Sequence, residues 1–307
     1  MTRSLTDNDG HDVSGAAVDA VVRLRADDAQ ADFRLLGAEP VSWRVQGREL
    51  LWHGDPAHWA QSAPVLFPVV GASSGGKISV DGVSYPMSSH GFARRTTFKV
   101  VERTEASAKF RLSDSPETRV HYPFPFQLDV VATLNGSELH LDFEVTNTGL
   151  DIMPYALGYH PAFPWPFDAE RREEYTVEFD AEESPLVPLI APDGLLMRQT
   201  RPIAMNGRAL PVSPDLFASG ALVFLNARSR ALRLTSPSGS AVELSASGFR
   251  HLALWTKPTA PFLSLEAWTG HAEWAGEPGD LAERPSKDRL GPGASARYSV
   301  ALRWIEG

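Results

Sequence analysis

The sequence predicts an all-β fold, a large antiparallel sandwich of two stacked sheets, on three observations. Apolar and polar residues alternate with period two in segment after segment. Glycine and proline occur 24 times each and are spread along the chain, as many turns between short elements require. No segment sustains the apolar repeat of a long helix.

The clearest element is a hairpin over 128–145. Leu128, Val130, Ala132 and Leu134 alternate along its first strand, and Leu139, Leu141, Phe143 and Val145 alternate with His140, Asp142 and Glu144 along its second. Asn135-Gly136 reads as the two positive-φ positions of the tight turn between them. A second hairpin is expected around Asp81-Gly82, flanked by Ile78-Ser79-Val80 and Val83-Ser84-Tyr85. The last strand carries Tyr298, Val300, Leu302 and Trp304 on its inner face. Further strands are expected at 18–25, 41–45, 96–102, 109–113, 175–179, 221–225, 231–235, 241–245, 252–255 and 262–266. Short helical turns are expected at 56–61 and at 214–218, the second with Ser213 as N-cap and Pro214 at the first helical position. Residues 1–17 are polar and small and read as a disordered tail. Residues 18–307 read as a single domain.

At 43% hydrophobic the chain has ample material for a core. A net charge of −9 argues against a nucleic-acid partner, which needs a basic face. No cysteine is present, so thiolate metal sites, disulfides and cysteine nucleophiles are excluded. The start lacks the basic and apolar regions of a secretory signal. The longest apolar run, 63–72, is interrupted by Pro64 and Pro68 and is too short to span a bilayer. A cytoplasmic protein without membrane association is expected.

Three segments interrupt the strand pattern with ionisable residues among Gly, Pro and aromatics: Ser88 to Arg94, Leu157 to Pro166, and Leu263 to Gly270. Glu266 lies at the end of an apolar strand, where a carboxylate is costly to desolvate without a partner or a task. It is either a sheet-edge residue reaching water or a functional group. His160, among Phe163, Trp165 and Phe167, is either satisfied within a stiff aromatic loop or a general acid. Trp165 and Trp268 fit either core packing or the apolar face of a sugar ring. His90 precedes Gly91, which can turn the chain and leave the imidazole projecting. Arg94 fits either a structural ion pair or a ligand contact. His53 and His58 are five apart, without an obvious acidic partner, which is poor metal-ligand spacing. The chain has no nucleophile elbow, P-loop or dinucleotide fingerprint.

Four segments together resemble the aldose 1-epimerases (galactose mutarotases), in particular their bacterial LacX-like branch. They are Ala63 to Gly71, His90-Gly91-Phe92-Ala93-Arg94, Gly158-Tyr159-His160-Pro161-Ala162-Phe163, and Glu266-Ala267-Trp268-Thr269-Gly270. The resemblance runs from about Gly37 to the C-terminus. It implies a two-sheet supersandwich and interconversion of the α and β anomers of an aldohexose by acid–base ring opening, with no metal or cofactor. It assigns Glu266 as base, His160 as acid and His90 as a second imidazole on the ring-oxygen side. Arg94, Trp165 and Trp268 are the candidate sugar contacts, and a small-molecule sugar the expected partner, with the chain a monomer or homodimer. Two departures stand out. Ala72 and Ser73 follow Gly71 where the family usually has arginine, leaving Arg94 or Lys77 to compensate, and Ala267 stands where it usually has proline. The alternatives are a hexose-6-phosphate 1-epimerase, for which the usual Arg-Gly-Gly is absent, and a non-catalytic sugar-binding or sensing protein.

Overall fold

The computed structural model describes residues 21–168, 171–284 and 286–307. The expected tail at 1–17 and the start of the strand expected at 18–25 lie outside them.

The long hairpin organises the molecule. Phe126–Asn135 pairs antiparallel with Glu138–Asn147 in continuous register. The pair closes at Asn135 and Glu138, so the turn residues are Gly136 and Ser137, one position later than expected, and Asn135 completes the strand instead. Gly136 takes φ 55°. The Asp81-Gly82 turn is placed as expected, with φ of 49° and 77° between the paired Val80 and Val83.

Among the described residues the hairpin lies in a nine-stranded sheet, ordered Ala209–Pro211, Thr176–Phe179, Ala231–Thr235, Ala241–Ser247, Ser295–Ile305, Glu138–Asn147, Phe126–Asn135, Ser107–Ser113, Lys99–Arg103. Val130 pairs with Phe110 on one side and Phe143 on the other, which puts all three on one face. That face is covered twice. Phe110 stacks on Phe33 of a four-stranded sheet at 5.4 Å, and Phe143 packs on Tyr159 of a six-stranded sheet at 5.7 Å. The sandwich therefore has one long sheet facing two shorter ones, with small two-stranded ribbons around them, rather than two plain sheets. Leu139, Leu141, Phe143 and Val145 are buried, as the alternation requires. Trp304 points to the expected face but lies at its margin, half-buried against Phe167 and Arg48.

Among the described residues helix is nearly absent. Pro214–Phe217 is a 3-10 turn following Ser213, residues 56–58 form only a turn, and Pro116–Arg119 is an α-helical turn held by a Ser115–Thr118 capping box. None of the described helices is long and apolar enough to cross a membrane.

The six-stranded sheet carries the site. Its order is Leu222–Phe224, His251–Trp255, Phe262–Trp268, Gly158–Tyr159, Val65–Leu66, with Ala162–Pro164 also on Phe262–Trp268. All seven residues of Phe262–Trp268 are buried, which marks a strand covered on both faces. Beside it the chain at 90–93 folds onto the carbonyl of Phe67, which accepts from the N–H groups of Phe92 and Ala93. Gly91 has φ 70°, and a Cβ there would lie 2.1 Å from that carbonyl oxygen.

Gly91→Ala therefore combines backbone strain with a collision that only a backbone shift can relieve. It should destabilise by about 2 kcal/mol or more, against about 1 kcal/mol for Gly82→Ala, where φ is also positive but the space is open. Equal losses in chemical denaturation would show that the close approach to Phe67 carries no cost.

Candidate active site

Strand register brings the first two candidates together. Gly158 pairs with Trp268 and Tyr159 with Ala267, so the next residue, His160, comes beside Glu266. The His160 N–H donates to Pro64 O at 3.2 Å, which holds the chain there. His160 Nε2 lies 3.3 Å from Glu266 Oε2. Trp268, two residues on and so on the same face, donates its indole N–H to that oxygen at 3.0 Å. Glu266 is 1% exposed and His160 6%. Glu266 Oε1 makes no hydrogen bond with the protein.

The third candidate arrives from the 88–94 segment. His90 takes φ 63°, its backbone N–H donates to Gly71 O at 3.0 Å, and its Nδ1 accepts from the Gly71 N–H at 3.2 Å. An imidazole whose Nδ1 accepts carries its hydrogen on Nε2 when neutral, so His90 is fixed as an Nε2–H donor. Its ring lies 5.9 Å from that of His160, edge to face. Gly71 meets this segment through its backbone alone: it has φ 73°, and a Cβ there would lie 2.5 Å from that of Ala272.

Burial dominates the electrostatics. It holds the Glu266 carboxyl well above the usual carboxylate range, with the Trp268 hydrogen bond pulling the other way. It holds His160 well below the usual imidazole range, and the nearby His90 adds to this. His90 is lowered to about 3 by burial and then by Arg94 and Arg95. Both members of the close pair are thus driven toward their neutral forms.

These groups line a cleft of about 420 Å3 together with Arg94 and Trp268. Arg94 donates to Gln61 Oε1 at 3.0 Å and to Ser89 O at 2.9 Å, and burial lowers it to about 10. Lys77 lies instead in a separate surface depression with Asp280. Trp165 does not reach the cleft. It is fully buried in the core, against Phe217, with the Arg172 guanidinium over its ring. The aromatic walls come from elsewhere: Trp59 and Trp255 meet edge to face at 5.4 Å and pack on His160 at 4.9 and 5.4 Å. Lys257 also lines the cleft and donates its ammonium to His58 O. The hairpin of Leu186–Ile190 and Leu196–Pro202 adds Ile190, Gly194 and Leu196 from the opposite side. The sequence signal for these residues is weak. Trp59 follows a turn, and Trp255 ends an ordinary strand, so neither lies in a motif.

Among the described residues, no group of three or more His, Asp or Glu gathers as metal ligands. His53 packs tilted against Trp52 at 4.3 Å, and the His58 ring lies 6.2 Å from the same indole.

The chain matches the aldose 1-epimerase family over residues 20–303 and belongs to it, an isomerase of the mutarotase type. It is 32% identical over 293 residues to the chromosomal LacX protein of Lactococcus lactis subsp. lactis, covering 92% of this chain and 98% of that one. A galactose mutarotase-like protein from Lactobacillus casei superposes with a TM-score of 0.87 at 28% identity, covering 93% of this chain and 100% of that one. A galactose mutarotase related enzyme from Lactobacillus acidophilus gives 0.87 at 25%, covering 94% and 98%.

The raised Glu266 carboxyl has a consequence for stability. Between the ordinary carboxylate range and its raised value, the folded state holds a proton that the unfolded state has released, so Glu266 costs increasing stability as pH rises. Glu266→Gln should therefore raise the melting temperature, and by more at about pH 8 than at about pH 5. A difference that does not change with pH in calorimetry would show that Glu266 is ionised in the folded protein.

Proposed function

We propose that the protein interconverts the α and β anomers of an unphosphorylated aldohexose, with Glu266 and His160 as the acid–base pair and His90 as a fixed donor. The observation that carries this is the 3.3 Å contact between Glu266 and His160 inside the cleft. Mutarotation moves protons at two oxygens bonded to one carbon, the anomeric hydroxyl and the ring oxygen. Neighbouring proton-transfer groups on one wall suit that better than groups on opposite walls.

The steps balance on the single proton of the pair. It moves from Glu266 to His160. The carboxylate takes the proton of the anomeric hydroxyl through Oε1, and the imidazolium gives its proton to the ring oxygen as the C1–O5 bond breaks. The open-chain aldehyde turns about C1–C2, and the same transfers in reverse close the ring on its other face. The Nε2–H of His90 supports the oxygen that leaves and returns. Trp59 and Trp255 offer ring faces to the C–H surface of the sugar.

Arg94 and Lys257 give a specific reason to consider a phosphorylated hexose instead. Both already donate to protein oxygens, Arg94 to Gln61 and Ser89 and Lys257 to His58. That favours a neutral substrate. A binding protein without catalysis has no use for a buried carboxyl–imidazole pair, which costs stability.

Polarimetry after dissolving the pure α anomer tests the reading. Glucose or galactose should equilibrate faster with the protein than in buffer, and Glu266→Gln and His160→Asn should each lower kcat by about 10²–10⁴-fold. Rates near wild type in either variant exclude that residue from proton transfer. Activity confined to glucose 6-phosphate selects the phosphosugar reading, and binding without turnover the sensor.

The rate should also stay level as pH falls through about 6.5, where an ordinary imidazole titrates, because His160 resists a second proton. An acid limb centred there would mean that an unperturbed histidine governs the reaction.

A further inference from the structure

A second buried carboxyl, that of Glu39, takes no part in the proton transfers, yet two sides of the cleft hang from the chain it holds. Glu39 opens the strand Glu39–Val45, is 4% exposed and does not line the cleft. Its Oε1 accepts from the backbone N–H groups of Ser62 and Ala63 at 2.7 and 3.0 Å. Both residues are buried, and sheet pairing begins only at Val65, so the sheet does not supply acceptors for these groups. A buried N–H without an acceptor is costly, so the carboxyl fixes where the two peptides lie.

The residues on either side of this clamp reach the site. Gln61, just before Ser62, accepts from Arg94 Nη1 through Oε1 at 3.0 Å. Pro64, just after Ala63, accepts from the His160 N–H at 3.2 Å, and Ser62 O accepts from the Ala162 N–H at 2.9 Å. The chain carrying His160 is therefore held twice by the clamped segment. The turn leading into Glu39 meets Arg94 as well. Gly37 has φ 76°, a Cβ there would lie 3.1 Å from Arg94 Cα, and its N–H donates to Thr96 O at 2.9 Å. Segments 37–39, 61–64 and 94–96, far apart in the chain, are joined at this point. A carboxyl oxygen accepts hydrogen bonds in both protonation states. Burial is the largest influence on Glu39 and raises its carboxyl above the ordinary range. The clamp thus depends on the reach of the side chain rather than on its charge.

We infer that Glu39 is a positioning residue for the reaction: by holding the Ser62 and Ala63 peptides it sets Pro64 O against the His160 N–H and Gln61 against Arg94. Its kinetic consequence rests on the mutarotase reading of the cleft, whereas the placement of His160 can be read without turnover.

Two substitutions separate reach from charge. Glu39→Gln keeps the reach and an acceptor oxygen but removes the charge. Glu39→Asp keeps the charge and withdraws the oxygen by one methylene. A displacement of about 1 Å at a reacting group costs up to about 10²-fold in rate, so Glu39→Asp should lower kcat on glucose at least about tenfold and raise KM, while Glu39→Gln stays within about threefold of wild type. Polarimetry measures both, on samples that calorimetry shows to be folded. A proton–nitrogen correlation spectrum of the histidine rings is the second readout: the His160 signals should move in Glu39→Asp and coincide with wild type in Glu39→Gln. A Glu39 that only stabilises the fold would lower the melting temperature of Glu39→Asp and leave kcat, KM and the ring signals of the folded protein unchanged, and that result overturns the proposal. So does a Glu39→Gln variant as impaired as Glu39→Asp, which would make charge the operative property. A wild-type protein without mutarotation sinks the mutarotase reading, and the ring signals then still decide whether Glu39 places His160.

Discussion

A carboxyl group buried within a β-strand, with an imidazole as its closest ionisable neighbour, is the constraint on which the site depends. Glu266 lies in a strand whose every residue is buried. Its neighbours within reach are the Trp268 N–H and His160 Nε2. An isolated carboxylate in such a place costs several kcal/mol, far more than one indole hydrogen bond returns. The group therefore keeps its proton, and the same burial keeps His160 from gaining one. Two groups that would be a stable ion pair near water are both held in their neutral forms.

The fold supplies this burial through its asymmetry. The long sheet faces two shorter ones, and the six-stranded sheet has its central strand covered on both sides: by the core on one face, and on the other by the cleft walls and the Leu186–Ile190 and Leu196–Pro202 hairpin. Strand pairing then sets the chemistry. A slip of one residue between Gly158–Tyr159 and Phe262–Trp268 would move His160 away from Glu266 and turn side chains to the other face. Gly91 and Gly71 do the corresponding work for His90: close backbone contacts that no side chain could share bring the imidazole to the cleft.

What was legible in the sequence was mostly local. The alternation of 128–145 and of the last strand reports a half-buried strand directly, because side-chain period and burial are the same fact. Glu266, His160, His90 and Arg94 stand out in three short segments, and the structure brings all four to one cleft. The shift of the turn from Asn135-Gly136 to Gly136-Ser137 was not legible, because turn residues specify a bend more strongly than a register. Trp165 was misjudged because an aromatic in a Pro-rich segment near a functional histidine looks the same whether it faces the cleft or the core. Trp59 and Trp255 come from segments almost 200 positions apart, and only the folded sheet makes them neighbours. The direct contact of Glu266 and His160 also follows from long-range pairing.

The fold holds the two imidazoles of the cleft in different ways. His160 lies against a group that can give it a proton, and the protein leaves its Nδ1 without a hydrogen bond. His90 has its Nδ1 occupied by a backbone N–H and two arginines nearby, so it neither gains a proton readily nor has a free basic nitrogen. His160 Nε2 thus faces a carboxyl oxygen across 3.3 Å, whereas the Gly71 N–H fixes His90 as an Nε2–H donor, so two imidazoles in one cleft are held by the fold in different chemical states.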